Sequence, residues 1–361
     1  MLFTLERTIL RIKPRVFRFY SVNAHNASND MSNNSQSYDN YILDESWEPK
    51  AVRRDDVKTL RVSILGLPNV GKSTLINQLV GRPICAASSK IQTTRKNSDA
   101  IYVENDTQLI FVDTPGLVTN RDMKKYDLEK TFKTDVDKAV AKSDIVGVVQ
   151  DASHKYKADV IDERIMVVLK NLKVGIPTLL ILNKVDKVKQ KRKLLEIVDT
   201  LTSDQNWPNF SDIFMVSALN SDGINDLRTY LLDSAKPRDW DYESTAISND
   251  SPEIIIERAV RAKFMDALPK ELPYSVNVQL EHYSVLKDDS ISAAVAVTCP
   301  SDRISKLVMG KRGVRVRDVA ISVEQELCQA FRTTVRLKIA IKFKQSKDES
   351  SANNKRKKWI F

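Results

Sequence analysis

Four short stretches hold residues that could work on a phosphorylated ligand. Gly66-Leu67-Pro68-Asn69-Val70-Gly71-Lys72-Ser73-Thr74 sets two glycines ahead of a lysine and two hydroxyls. Glycines let backbone N–H groups close around phosphate oxygens, and a helix starting there adds partial positive charge. Lys72 would reach β- and γ-phosphates, and Ser73 would ligate Mg2+. Asp113 ends the apolar run QLIFVD and leads into Thr114-Pro115-Gly116, where its carboxylate can hold Mg2+ through water. Asn183-Lys184-Val185-Asp186 ends TLLILN, and Ser217-Ala218-Leu219 follows IFMV. A lysine, a hydroxyl and a carboxylate around one divalent ion suit phosphoryl transfer.

These residues need a common rim. RVSIL (61–65) reads as a short buried strand and LINQLV as the helix after the glycine loop. Helical patterns recur over 160–172 and 193–201 between the apolar runs, and ENDTQ (104–108) should turn an antiparallel hairpin. Strand–helix alternation predicts an α/β fold, a doubly wound, mostly parallel sheet. Ligands bind such sheets beyond the carboxyl ends of the strands, so all four stretches should meet there.

In this order the motifs resemble the P-loop GTPase superfamily. The resemblance implies GTP or GDP as ligand, with Asn183 and Asp186 reading guanine, Lys184 packing on the base and the Ala218 N–H meeting guanine O6. A carboxylate at Asp186 can accept from N1–H and the 2-amino group; adenine has neither donor there and would leave it unpaired. Gln92-Thr93-Thr94-Arg95 resembles switch I of the branch containing Era and the tRNA-modifying TrmE proteins. Thr94 is the expected switch threonine on Mg2+, with Thr93 as the alternative. Ras-like members place a water-orienting glutamine after the DxxG glycine; here the residue is Leu117. In the resembled branch a K+ ion, held partly by an asparagine at the position of Asn69, can supply charge to the transition state. Lys72, Thr94 and Asn69 are therefore the candidate catalytic residues, and slow intrinsic hydrolysis is expected.

Past Lys236 the pattern changes. PRDWDYESTAISNDSP has two prolines, several acids and no periodicity, and reads as a linker. Then follow a helix ended before Pro269, two alternating strands, two helices broken at Gly310-Lys311-Arg312-Gly313, and a last strand, TVRLKIAIKFK. This order resembles a type II KH domain, an α+β unit whose G-x-x-G loop meets RNA phosphates. From Arg303 to Arg317 there are six bases and no acid. Lys306, Gly310, Lys311, Arg312, Gly313 and Arg315 are the candidate RNA contacts. GTPase motifs followed by KH are together similar to the Era family. The family often has a glycine in the second of these helices, near Ala320. The resemblance implies a partner in small-subunit ribosomal RNA and a role in assembling that subunit. Two other readings stay open: a tRNA-modification GTPase, and an RNA chaperone using nucleotide only as a structural ligand.

Charge and ends complete the expectation. A net charge of +10 suits a polyanionic partner. No run approaches a membrane span, although a peripheral membrane contact stays open, as does the oligomeric state. Three scattered cysteines without a C-x-x-C pair argue against a zinc site or a disulfide framework. Residues 1–20 carry five bases and one acid on an amphipathic pattern, like a mitochondrial presequence cleaved after Tyr20 and addressed to the matrix. The expected order is presequence 1–20, disordered linker 21–57, GTPase domain 58–236, linker 237–251, KH domain 252–345 and basic tail 346–361.

Overall fold

Aliphatic and β-branched runs build the first sheet of the chain. The computed structural model describes residues 57–90, 94, 96–118, 131–203, 209–343 and 359–360, and only the backbone of 131–135 and 359–360. The expected presequence, nearly all of the 21–57 segment, Gln92, Thr93, Arg95 and most of the tail lie outside the described residues.

The elements run β1 (Lys58–Gly66), α1 (Lys72–Val80), β2 (Ser98–Glu104), β3 (Thr107–Asp113), α2 (Thr131–Ala141), β4 (Ile145–Asp151), α3 (Glu163–Lys170), β5 (Thr178–Asn183), α4 (Arg192–Thr202), β6 (Asp212–Met215), α5 (Ile224–Asp233) and β7 (Lys236–Pro237). The sheet order is β2-β3-β1-β4-β5-β6, with β7 antiparallel to the start of β1. Only the β2–β3 hairpin departs from parallel pairing along the main path, as the ENDTQ turn predicts. β1 lies between β3 and β4, where the winding reverses, so the loop after β1 opens into the crevice at the switch point. Register aligns the strand ends: Asp113 stands beside Ile64, and Asp151 beside Asn183.

The second sheet follows α6 (Pro252–Ala267) and the short α7 (Leu272–Ser275). It comprises β8 (Asn277–Val285), β9 (Ile291–Cys299), then, after α8 (Asp302–Met309) and α9 (Val314–Phe331), β10 (Val335–Phe343) and β11 (Trp359–Ile360). Its order is β11-β10-β9-β8, with β9 and β10 parallel. The helix–strand–strand–helix–helix–strand order of the sequence reading is present, with α7 and β11 added to it. β11, from the stretch read as a tail, pairs antiparallel with Ile339 and Ala340.

The stretch between the sheets is a fitted strap. Arg238 pairs with Asp144 at 3.0 Å, and Thr59 Oγ1 donates to Asp239 O at 3.0 Å. Trp240 is 2% exposed, its indole N–H donating to Asp106 O. Gln108 exchanges two hydrogen bonds with the Tyr242 backbone, at 2.8 and 3.1 Å. Ile101 N–H donates to Ile247 O, and Asp99 N–H to the Asn249 side chain. The strap thereby satisfies the outer edge of β2, which would otherwise offer open ladder groups. No hydrophobic period marks it in sequence because its contacts are mostly polar and irregularly spaced.

Leu117 belongs to the core. It is 9% exposed and packs in a buried cluster with Leu65, Val136, Val140, Val146, Val148 and Ile165. Its N–H donates to Gly66 O, and its carbonyl accepts from Arg164 Nη1. A glutamine there would bury an amide among aliphatic groups, so Leu117→Gln should destabilise by about 2 kcal/mol. Thermal melts should show this loss, and single-turnover GTP assays should show no gain in hydrolysis.

Candidate functional site

The phosphate-binding loop is shaped by backbone needs. Gly71, at φ 99°, immediately precedes α1, and a Cβ there would run into the Asn183 amide. Only glycine adopts that backbone cheaply and lets the loop close on the neighbouring strand end. Across the crevice a Cβ on Gly116 would lie 2.8 Å from Pro68 Cα, so this glycine brings the DTPG segment directly against the loop. Thr114 Oγ1 anchors that segment to Ile64 O at 2.6 Å.

Lys72 is 6% exposed, with Nζ donating to Leu67 O at 3.0 Å and Gly66 O at 3.3 Å. Burial lowers its pKa to about 8 despite the pull of Asp113. An anionic phosphate would restore the preference for the charged amine. Ser73 Oγ donates to Asp113 Oδ2 at 2.8 Å, Thr94 Oγ1 donates to the same oxygen at 3.0 Å, and the two hydroxyls stand 3.3 Å apart. Asp113 Oδ1 is buried and finds no hydrogen-bond partner among the described residues. Burial raises the Asp113 pKa, opposed by Lys72 and by the hydrogen bonds from Ser73 and Thr94. Two hydroxyls and a carboxylate with an unmet oxygen are hard donors that suit Mg2+. Ser73, Thr94 and Asp113, expected together from sequence, are thus brought together. Thr74 is the third residue of α1.

The base-reading residues form a linked group. Asn183 Nδ2 donates to Val70 O at 2.9 Å, and its Oδ1 accepts from the N–H groups of Lys184 and Ala218. Ser217 Oγ donates to Asp186 Oδ1 at 2.6 Å, orienting a carboxylate that stays exposed. Leu219, in the same loop, is 72% exposed. Lys184, at φ 64°, holds Nζ 2.6 Å from both Asn69 O and Asp151 Oδ2, which stretches its stem across the loop. Asp151 is a residue the sequence reading missed, along with its strand β4. Its signal was present: an acid closing the apolar run IVGVV, as Asp113 closes QLIFV. Burial pushes the Asp151 carboxyl up, but hydrogen bonds from Lys184 and Ser153 outweigh it and hold the pKa below the ordinary range. Asn69 is exposed at φ 63°, and its side-chain amide has no hydrogen bond to a described residue. Among the described residues, then, its side chain does not brace the loop.

The basic loop lies on the second sheet's helices. Gly310, Arg312 and Gly313 all have positive φ, at 71°, 53° and 77°, and turn the chain from α8 into α9. Lys311 and Arg312 are exposed, Lys306 pairs only with Asp302 one helical turn away, and Arg315 Nη1 donates to Leu307 O. Leu307, Val314 and Ile321 are 47%, 48% and 49% exposed beside it, an apolar surface next to cations. Ala320 is buried in α9.

The two regions are fastened near Thr94. Before it, Ser88 and Ser89 donate to Asp266 at 2.8 and 2.6 Å, and Lys90 Nζ donates to Leu268 O, at the end of α6. After it, Ser98 Oγ donates to Asp250, which also takes Arg258 of α6. A narrow, nearly filled crevice lies between, lined by Thr94, Asp113, Cys85, Asp250 and Arg258 among others. The sequence could not disclose this clamp, because its partners lie more than 150 residues apart.

Comparison with known proteins agrees with this geometry. Residues 61–184 match a family model described as 50S ribosome-binding GTPase. The chain is 30% identical to the GTPase Era, mitochondrial, of Danio rerio, over 81% of this chain and 76% of that protein. It is also 30% identical to the GTPase Era of Bradyrhizobium diazoefficiens, over 79% and 89% respectively. The fold matches a crystal structure of Era with MgGDPNP and nucleotides 1506–1542 of 16S ribosomal RNA, with TM-score 0.67, 24% identity and coverage of 80% of this chain and 94% of that one. With a relative of this identity matched over most of both chains, the protein belongs to the Era family of GTPases.

Proposed function

We propose that the chain is a GTP-hydrolysing, RNA-binding assembly factor for the small ribosomal subunit of mitochondria, working in the matrix. The observation that carries this reading is the double fastening of the Thr94 segment to α6. It ties a nucleotide-sensing position to the unit that bears the GKRG loop.

In this mechanism the loop N–H groups and Lys72 hold the GTP phosphates, and Asn183 and Asp186 select guanine. Ser73, Thr94 and Asp113 would hold Mg2+, which supplies a Lewis acid to the phosphate oxygens. Leu117, the residue after Gly116, turns its side chain into the core rather than the site, and backbone groups of the switch segment would position water. This suits slow turnover that awaits a partner. K+ is the proposed aid: the unbraced Asn69 amide beside the phosphate loop supports a monovalent ion there. Release of Thr94 after hydrolysis would loosen both attachments to α6 and so alter how the KH unit is held. Lys306, Lys311, Arg312 and Arg315 meet phosphates, while the apolar surface beside the loop accepts bases.

Three measurements bear on this reading. Lys311→Asp with Arg312→Asp should erase the preference for small-subunit ribosomal RNA over unrelated RNA of equal length, while multiple-turnover phosphate release from GTP persists. Retained preference would contradict the KH assignment. GTP turnover should be several-fold faster in KCl than in NaCl at equal ionic strength, and Asn69→Ala should remove the difference; equal wild-type rates would eliminate the ion. Protein from fractionated mitochondria should begin at Ser21 and resist protease until the inner membrane is opened. An intact Met1, or early digestion, would reject the matrix address.

A further inference from the structure

A second basic surface stands on the GTPase sheet, away from the GKRG loop. Residues 187–193 read Lys-Val-Lys-Gln-Lys-Arg-Lys, and 152–158 read Ala-Ser-His-Lys-Tyr-Lys-Ala; together they hold seven lysines and arginines and no acid. The two segments follow β5 and β4, neighbours in the sheet, so their charges gather at one place. Between them lies an open cleft lined by Ser153, Lys187, Lys189, Gln190 and Lys193 among others. Lys187, Lys189 and Lys193 are exposed, and none of the three pairs with an acid among the described residues. Asp151, the acid at the foot of the cleft, is already taken by Lys184.

The facing loop displays an aromatic ring. Tyr156 is 75% exposed, with Lys155 Nζ 5.1 Å from its ring centroid. The loop that carries it is held firmly from below. Buried Gln150 donates through Nε2 to Lys157 O at 2.5 Å and Val160 O at 3.0 Å, and Ser153 is fixed to Asp151 through both N–H and Oγ. Ala152 and Ser153 of this loop line the cleft across from three lysines that pair with no acid among the described residues, and the braced aromatic lies three residues further along the same loop. That combination has the make-up of a single-strand nucleic-acid surface: phosphates meet the ammonium groups and a base stacks on the ring.

We infer that this cleft is a second, KH-independent contact for single-stranded RNA, with Tyr156 as its stacking platform and Lys187, Lys189 and Lys193 as its phosphate contacts. The inference rests on the RNA-binding reading of the chain but not on the GKRG loop. The cleft adds non-selective, salt-sensitive affinity to the selectivity assigned to the KH unit. Through the Lys184–Asp151 pair, RNA in the cleft would also bear on the residues that read the base.

Fluorescence anisotropy of full-length, GDP-bound protein with an oligouridine of about 30 nucleotides, across a KCl series, tests this. The variant Tyr156→Ala, Lys189→Glu, Lys193→Glu should bind roughly tenfold or more weakly, with a log–log salt slope shallower by about one to two units. Tyr156→Phe should bind like wild type, because the ring is kept. Equal affinity and slope for wild type and the triple variant would overturn the inference. So would unchanged RNA binding accompanied by lost binding to vesicles containing anionic phospholipid, which would assign the surface to a membrane. Loss of melting temperature or GDP affinity in the triple variant would be checked against Tyr156→Ala alone, whose weaker RNA binding with normal GDP affinity upholds the stacking role; Tyr156→Ala binding like wild type overturns it. Because the GKRG variant is read by selectivity and this cleft by non-selective affinity, either assignment can fail while the other stands.

Discussion

A buried carboxylate with one oxygen unmet is the constraint around which the molecule is organised. Asp113 is 1% exposed, and among the described residues only one of its oxygens is satisfied, by Ser73 and Thr94. Burying a charge without full compensation is expensive, and substituting a neutral group is often cheaper where nothing else is required. A cation at that oxygen would supply the compensation, and Mg2+ held there would add to the site's stability as well as its chemistry. The placement of β1 at the switch point, the glycine turn before Lys72 and the close approach of Gly116 to Pro68 all crowd charged and polar groups toward this position.

The same position connects the two sheets. Thr94 donates to Asp113, while residues on either side of it are bonded to the two ends of α6. On the function proposed above, a change in what Asp113 binds would act on contacts that hold the second unit. The strap after β7 complements this arrangement: Trp240 and the Gln108–Tyr242 exchange hold its first half to β2 and β3, and Asn249 and Asp250 bring it to the switch segment. One buried apolar cluster also includes Ile84 and Cys85 on the GTPase side and Ile255, Ile256 and Phe264 on the KH side. The polar clamp is thus seated on a shared core, and the polar bonds give direction to a contact that apolar burial stabilises.

Positive charge is distributed in two places with different surroundings. Around GKRG it borders exposed aliphatic side chains, which suits base recognition in a shallow groove. At the ends of β4 and β5 it borders a braced tyrosine, which suits stacking without sequence preference. The net charge of the chain reflects at least these two patches.

Sequence alone determined the chemistry of the phosphate and base loops, because each motif is local. The spacing from Gly66 to Thr74, the acid ending QLIFV and the Asn183–Asp186 turn each encode their own backbone geometry and donor set. It also determined the helix and strand order of the second unit, whose hydrophobic periods are clear. Tertiary structure decided what depends on residues far apart in the chain. The strap looked featureless because polar edge contacts carry no period. Leu117 looked like a gap in the catalytic machinery until packing assigned it to the core. Asp151 gained its role only when β4 settled beside β5, and the Lys187–Lys193 charges came to line a cleft only when Ala152 and Ser153 were set across from them. Local spacing encodes local geometry, whereas neighbours across a sheet are chosen by how the whole chain buries its apolar surface.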